Sequence, residues 1–184
     1  MRALVVYESM YGNTRAIAEA IADGLAVSAV ATAARVGTVA PDQLHGLDLL
    51  VLGAPTHTWS LSRPKTREAA AQAAAAPASG LTLEPGATGP GLREWLADEW
   101  LNGNDERRAH TRVVCFDTRM DAPLGLSGSA GRALARQLRR GGRPVHTAVE
   151  GFVVTKQNQL VDGELARAHA WGEHLAESML AATM

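Results

Sequence analysis

Ser9, Gly12, Asn13 and Thr14 fall within six residues of one another, in the stretch Val5-Val6-Tyr7-Glu8-Ser9-Met10-Tyr11-Gly12-Asn13-Thr14. Two hydroxyls, an amide and a permissive glycine are groups that close around an anion. No lysine stands among them, so they suit a phosphate held by neutral donors. They do not form the Walker pattern, which needs Gly-Lys-Ser/Thr. Two more stretches carry polar groups: Pro55-Thr56-His57-Thr58-Trp59, and Asp117-Thr118-Arg119 following Phe116. Other chemistry finds less support. His57 has no cysteine or serine nucleophile set beside it. The six histidines lack zinc-site spacing, and His169 and His174, five apart, do not share a helix face. No acid pair suggests hydrolysis. No Gly-x-Gly-x-x-Gly follows the first apolar run, which speaks against a resident nicotinamide.

The elements that must position these groups are legible in outline. Leu4, Val5 and Val6 are consecutive and apolar, as in a strand covered on both faces, and a strand is expected over Arg2–Tyr7. Ile17, Ile21 and Leu25 repeat every fourth residue, which predicts a helix from Thr14 to about Ala26. The loop between them sits at a helix N-terminus, where unpaired N–H groups and the positive end of the dipole favour an anion. An edge strand is expected at Val27–Thr32, then a loop over Ala33–Gly46 with a turn at Pro41-Asp42. A central strand follows at Leu47–Gly53. Ser62 is read as an N-cap and Pro64 as the first turn of a helix that Pro77 stops.

Residues 78–91 read as a surface loop. Residues 92–101 form an amphipathic segment whose Leu92, Trp95, Leu96 and Trp100 face a core, and 102–110 a charged connection. Thr111–Phe116 and Val145–Thr155 are the last two strands. Ser129 caps a helix ending at Gly141-Gly142, whose Arg132, Arg136, Arg139, Arg140 and Arg143 make a solvated basic face. Asp162 caps the final helix, with Leu165, Ala168, Gly172, Leu175 and Met179 as its packing stripe and Trp171 beside it. Strands alternating with helices give an α/β class with a parallel sheet.

The 184 residues, with 46% apolar and 20% charged side chains, suit one domain. A net charge of −1 implies no general affinity for nucleic acid or an anionic membrane. The one cysteine, Cys115, lies in an apolar run and reads as a buried small hydrophobe. No signal peptide or membrane-length apolar run is evident, and a cytoplasmic protein, a monomer or weak dimer, is expected.

The opening stretch resembles the phosphate-binding signature of the flavodoxin family: two aliphatics, Tyr7, one residue, Ser9, two residues, Gly12, one residue, Thr14, three residues, Ala18, two residues, Ile21. The resemblance covers the chain apart from a variable insertion around 77–110. It implies a single flavodoxin-like domain over 1–184, a three-layer α/β/α fold with a five-stranded parallel sheet of order 2-1-3-4-5. It also implies FMN as cofactor. The implied FMN contacts are Ser9, Met10, Tyr11, Gly12, Asn13 and Thr14 in the first loop; Pro55, Thr56, His57, Thr58 and Trp59 in the second; and Phe116, Asp117, Thr118 and Arg119 in the third. Trp59 is the expected stacking ring. Where flavodoxins commonly carry a tyrosine in the third loop, this chain has Asp117-Thr118-Arg119. A cation there, Arg119, would favour a reduced, negatively charged flavin. The implied activity is soluble electron transfer between redox partner proteins. The alternatives are an NAD(P)H- or quinone-type flavin oxidoreductase and a flavin-free binder of a phosphate ligand.

Overall fold

The longest apolar runs become strands with helices on both faces. The computed structural model describes residues 1–101 and 110–181, so the charged connection expected at 102–110 lies, except for His110, outside the described residues. Strands β1 (Arg2–Tyr7), β2 (Val30–Arg35), β3 (Leu49–Pro55), β4 (Arg112–Met120) and β5 (Glu150–Val154) pair in parallel in the order β2-β1-β3-β4-β5. Helices α1 (Asn13–Ala26), α2 (Pro64–Ala75), α3 (Leu92–Trp95), α4 (Leu124–Ser127), α5 (Ala130–Arg140) and α6 (Glu164–Ala181) accompany them, with 3-10 turns at Val36–Thr38 and Pro41–Leu44. This is the flavodoxin-like three-layer arrangement expected from the sequence.

Register sorts the side chains. Val5 lies opposite Val51, which lies opposite Val114. With Ala3 and Phe116 they face Ile17, Ile21 and Leu25 of α1 and Ala168 and Leu175 of α6. Their neighbours one residue away point to the other layer, where Leu50, Leu52 and Cys115 meet Leu134 and Leu138 of α5. A strand buried on both faces needs no polar alternation, and each large aliphatic side chain so buried contributes about 1.5–3 kcal/mol.

Segment 92–101 belongs to this second layer. Leu92, Trp95, Leu96 and Trp100 are all buried in it. Trp95 and Trp100 are five residues apart, about 140° around an ordinary helix. The chain turns π-helical over Leu96–Leu101, and the two indoles stack with centroids 6.4 Å apart.

On the first layer, α1 and α6 cross at two glycines. A Cβ on Gly24 would lie 2.1 Å from the His169 carbonyl oxygen, and one on Gly172 would lie 2.3 Å from that of Ile21. Trp171 packs edge-on against Phe116 and Phe152. Leu165, expected in the α6 stripe, is instead exposed, and the buried positions are Ala168, Gly172, Leu175 and Ala176.

Several boundaries shift. β2 begins at Val30 rather than Val27, because Val27 is the C-cap of α1. β4 extends to Met120, four residues beyond Phe116, and β5 is limited to Glu150–Val154. Ser129 caps α5, accepting from the Arg132 N–H at 3.0 Å, as expected. Ser62 does not cap α2: Arg63 holds that position, and the Ser62 hydroxyl accepts from Arg67. α6 starts at Glu164, with Gly163 accepting from the Arg167 N–H, so Asp162 stands outside the helix.

Candidate functional site

Parallel strands place their carboxyl ends on one edge, and the loops that follow β1, β3, β4 and β5 meet there. They enclose a half-open cavity of about 310 Å3. It is lined by Ser9, Met10, Tyr11, Asn13, Thr14, Pro55, Thr56, His57, Thr58, Thr118 and Arg119 of the expected residues, joined by Ala70, Met120, Val154 and Asn158.

The first loop reaches α1 through Gly12, which adopts φ 97° at the N-cap. That left-handed turn suits glycine. It aims the unpaired N–H groups of the helix's first turn at the cavity. The Ser9 hydroxyl accepts from the Gly12 N–H at 3.1 Å, which leaves its own proton free to donate. Thr14 and Thr118 share a single hydroxyl–hydroxyl bond of 2.7 Å. One of the two protons makes that bond, and the other remains for a ligand oxygen. The Asn13 amide is diverted: it donates to the Asn158 carbonyl at 2.9 Å and Oδ1 at 3.2 Å, tying the first loop to the turn after β5. The Tyr11 hydroxyl donates to the Ala70 carbonyl, fastening α2 beside the loop.

Glu84 stands beside the loop, its Oε1 3.8 Å from where a Cβ on Gly12 would lie, and its charge is offset by an arginine. Glu84 pairs with Arg15 at 3.0 Å, and its N–H donates to the Met10 carbonyl. The donor set that remains is neutral, oriented and backed by a helix dipole, and it fits a phosphate monoester such as that of FMN.

The second loop makes a tight turn. His57 and Ser60 exchange backbone bonds of 2.8 and 3.0 Å, and the two residues between them, Thr58 and Trp59, have φ of 44° and 65°. Two left-handed residues in succession are the pattern of a type I′ turn, normally filled by Asn and Gly. A β-branched residue there is strained. Trp59 is 63% exposed, its Nε1–H donating to the Leu126 carbonyl at 2.7 Å. That bond docks the indole on the third loop, at the rim. The indole expected to stack on the flavin thus stands at the rim, beside Thr58, and is not among the residues that line the cavity.

Two other expected contacts also stand outside the cavity lining. Phe116 is fully buried beneath the sheet, its ring against Phe152, Trp171 and the bare α-carbon of Gly53. Asp117 is buried as well. It accepts from Ser129, from the Gly131 N–H at 3.0 Å and from Arg119 at 2.5 Å. Its role is to hold the third loop and α5 together and to offset the Arg119 charge at the cavity wall.

Beneath the second loop lies a buried charged cluster. Glu8 accepts from the Leu92 N–H at 3.0 Å, while its Oε1 has no hydrogen-bond partner. Arg67 donates to Ser62 at 2.8 Å and pairs with Glu94 at 3.2 Å. A side chain on Gly91 would strike Glu8, Arg67 and Ser62 at once, at 2.6–2.9 Å, which shows how closely the three converge. Burial lowers the pKa of His57, Arg67 lowers it further, and Glu8 opposes both. The imidazole at the cavity is thereby kept neutral at pH 7.

Asn158 was not among the expected residues. Its signal was the polar turn Lys156-Gln157-Asn158 directly after an apolar strand, the same arrangement that marked the first three loops. Ala70 and Met120 gave none, being an alanine in an alanine-rich helix and an ordinary strand end. Among the described residues no group of three or more His, Cys, Asp or Glu side chains could hold a metal ion, and no helix is long and apolar enough to cross a membrane.

Residues 4–68, which carry the first loop, β3 and the second loop, match the family model described as a flavodoxin domain. No curated protein matches the chain in sequence. Solved structures do. A flavodoxin from the domain Archaea superposes with a TM-score of 0.65 at 18% identity, over 98% of this chain and 99% of that one. The flavodiiron core of Flv1 from Synechocystis sp. PCC6803 gives 0.63 at 18% identity, over 99% of this chain and 36% of that one. A flavodoxin, WrbA-like protein from Agrobacterium tumefaciens gives 0.52 at 19% identity, over 97% of each.

Proposed function

We propose that this chain, which shares the flavodoxin fold, binds FMN and works as an electron-transfer carrier between protein partners. FMN, when bound, supplies a ring system that accepts and returns electrons one or two at a time. The observation that carries the carrier reading is the size of the cavity. At about 310 Å3 it lies at the small end of ligand sites, about the room that one cofactor takes.

The chain's own groups divide the work. Ser9, the Thr14–Thr118 pair and the first turn of α1 hold the phosphate. Asn13 and Asn158 fix the loop's width. Thr56 accepts from the Ala130 N–H at 3.0 Å, so its hydroxyl proton also faces a ligand. Neutral His57 offers one ring N–H and one lone pair at the wall. Arg119 brings a cation that Asp117 partly offsets.

Reconstitution with FMN followed by anaerobic reductive titration tests the reading. A carrier takes up its electrons in two steps separated in potential. A single two-electron step, with turnover of NAD(P)H and a quinone, would establish the oxidoreductase instead. Failure to retain flavin while binding inorganic phosphate would leave a phosphate-ligand protein.

A further inference from the structure

The outer face of helix α5 does not line the cavity, yet its composition is unusual. Arg132, Arg136, Arg139 and Arg140 are all exposed. At 3.6 residues per turn they fall within about a third of the helix circumference, opposite the buried Leu134 and Leu138. No acidic residue occurs between Asp121 and Glu150, although the whole chain is balanced at −1. None of the four arginines has an ion-pair partner among the described residues. A helix that only needed a solvated face would alternate signs four residues apart. This one repeats a single sign, and Arg132 sits in its first turn, where the dipole disfavours a cation.

A second feature adjoins the stripe. Trp59, Leu126 and Met120 are exposed by 63%, 72% and 49%; Met120 lines the cavity, and the Trp59 indole is bonded to the Leu126 carbonyl. Trp59 in turn adjoins α5, because the α5 cap Ser129 donates its N–H to the Trp59 carbonyl at 3.3 Å. A groove of about 450 Å3 continues from Ser60 between α5 and the 92–101 segment, walled by Arg136 and Arg140 on one side and by Arg93, Glu94 and Asp98 on the other. An aromatic and a methionine beside a field of arginines is the composition of a protein interface centre and its rim. Nucleic acid would require aromatics spaced along the basic track, and the α5 face has none.

We propose that Trp59, Leu126, Met120 and the arginine stripe of α5 form one docking surface for a protein partner with an acidic patch. Docking there sets the partner against the mouth of the cavity. The inference rests on the carrier reading for its purpose, but the surface is testable without flavin.

The test uses the full chain, labelled with 15N, and zinc-substituted rubredoxin as a small acidic protein probe, with lysozyme as a basic control. At low salt, rubredoxin should shift the amide signals of residues 126–140 and the Trp59 indole N–H, and lysozyme should not. Raising the salt to about 0.5 M should abolish the shifts, since exposed charges are then screened within a few ångströms. The double variant Arg136→Glu/Arg140→Glu should weaken binding at least tenfold, on the order expected for reversed steering charges, with an unchanged melting temperature. Shifts elsewhere on the molecule, no binding of rubredoxin, equal binding of duplex DNA or anionic vesicles, or self-association of the chain through this face would overturn the proposal. FMN retention, measured on the same samples, reports separately on the function itself.

Discussion

Thr58 holds a backbone conformation that its side chain disfavours, and relieving it gives a sharp test of the second loop. Its φ is 44°, followed by 65° at Trp59. A left-handed conformation costs an L-residue roughly 1–2 kcal/mol, and most for a β-branched one. Asparagine tolerates this region and leaves the unfolded chain about as free as threonine does. Thr58→Asn should therefore stabilise the cofactor-free protein by about 1 kcal/mol. Thr58→Gly removes the same strain but adds roughly 0.4–1 kcal/mol of unfolded-chain entropy, so its net gain is smaller, about 0.5 kcal/mol. Thr58→Ala keeps a Cβ in the left-handed region and should change stability little. For a chain of this size, 1 kcal/mol corresponds to about 2–4 °C in Tm.

Thermal and urea unfolding of the four proteins measures the order Asn, Gly, then Ala and wild type. FMN affinity, read by quenching of flavin fluorescence, should move the other way, because the strained turn lines the cavity and its rigidity serves binding. If Asn and Gly are no more stable than Ala, the turn is not left-handed and the account of the second loop fails.

Gly172→Ala should cost several kcal/mol, because the new methyl meets the Ile21 backbone at 2.3 Å and backbone cannot swing aside; a denaturation midpoint within error of wild type would remove the close crossing of α1 and α6. Arg67→Met should destabilise by about 1–3 kcal/mol, since it leaves the buried Ser62 hydroxyl without its donor and breaks the pair with Glu94, whereas Arg136→Met on the exposed stripe should stay within about 0.5 kcal/mol. His57 is neutral in the fold and has a depressed pKa, so the unfolded chain binds a proton first as pH falls below about 6.5. Stability is then lost from pH 6.5 downward through the folded pKa, and His57→Gln should flatten that part of the profile in pH-dependent unfolding.

The strand–loop–helix opening was legible because three kinds of signal agree there: an unbroken apolar run, a cluster of donors and a four-residue repeat. The sheet order followed from the family resemblance and the alternation of elements. What escaped the sequence was set by partners far along the chain. Trp59 takes its place at the rim from a bond between its Nε1–H and a carbonyl 67 residues away, which nothing local announces. Ser62 has the composition of a cap, but a buried arginine claims its hydroxyl. Phe116 ends an apolar run beside a polar loop, and nothing local says that its ring faces Gly53 rather than the cavity. β2, rich in alanine, takes its limits from pairing with β1 rather than from its own propensity.

The two glycines at which α1 and α6 cross lie roughly 150 residues apart, among the most distant contacts the chain makes. During synthesis α1 emerges early, with Ile17, Ile21 and Leu25 ready to bury but without α6 to cover their flank. The anion-binding end of α1 is therefore assembled on a helix whose final seat waits for the chain's far end. A ribosome-bound chain lacking α6 should hold its phosphate loop loosely, and tight cofactor capture should begin only as α6 docks.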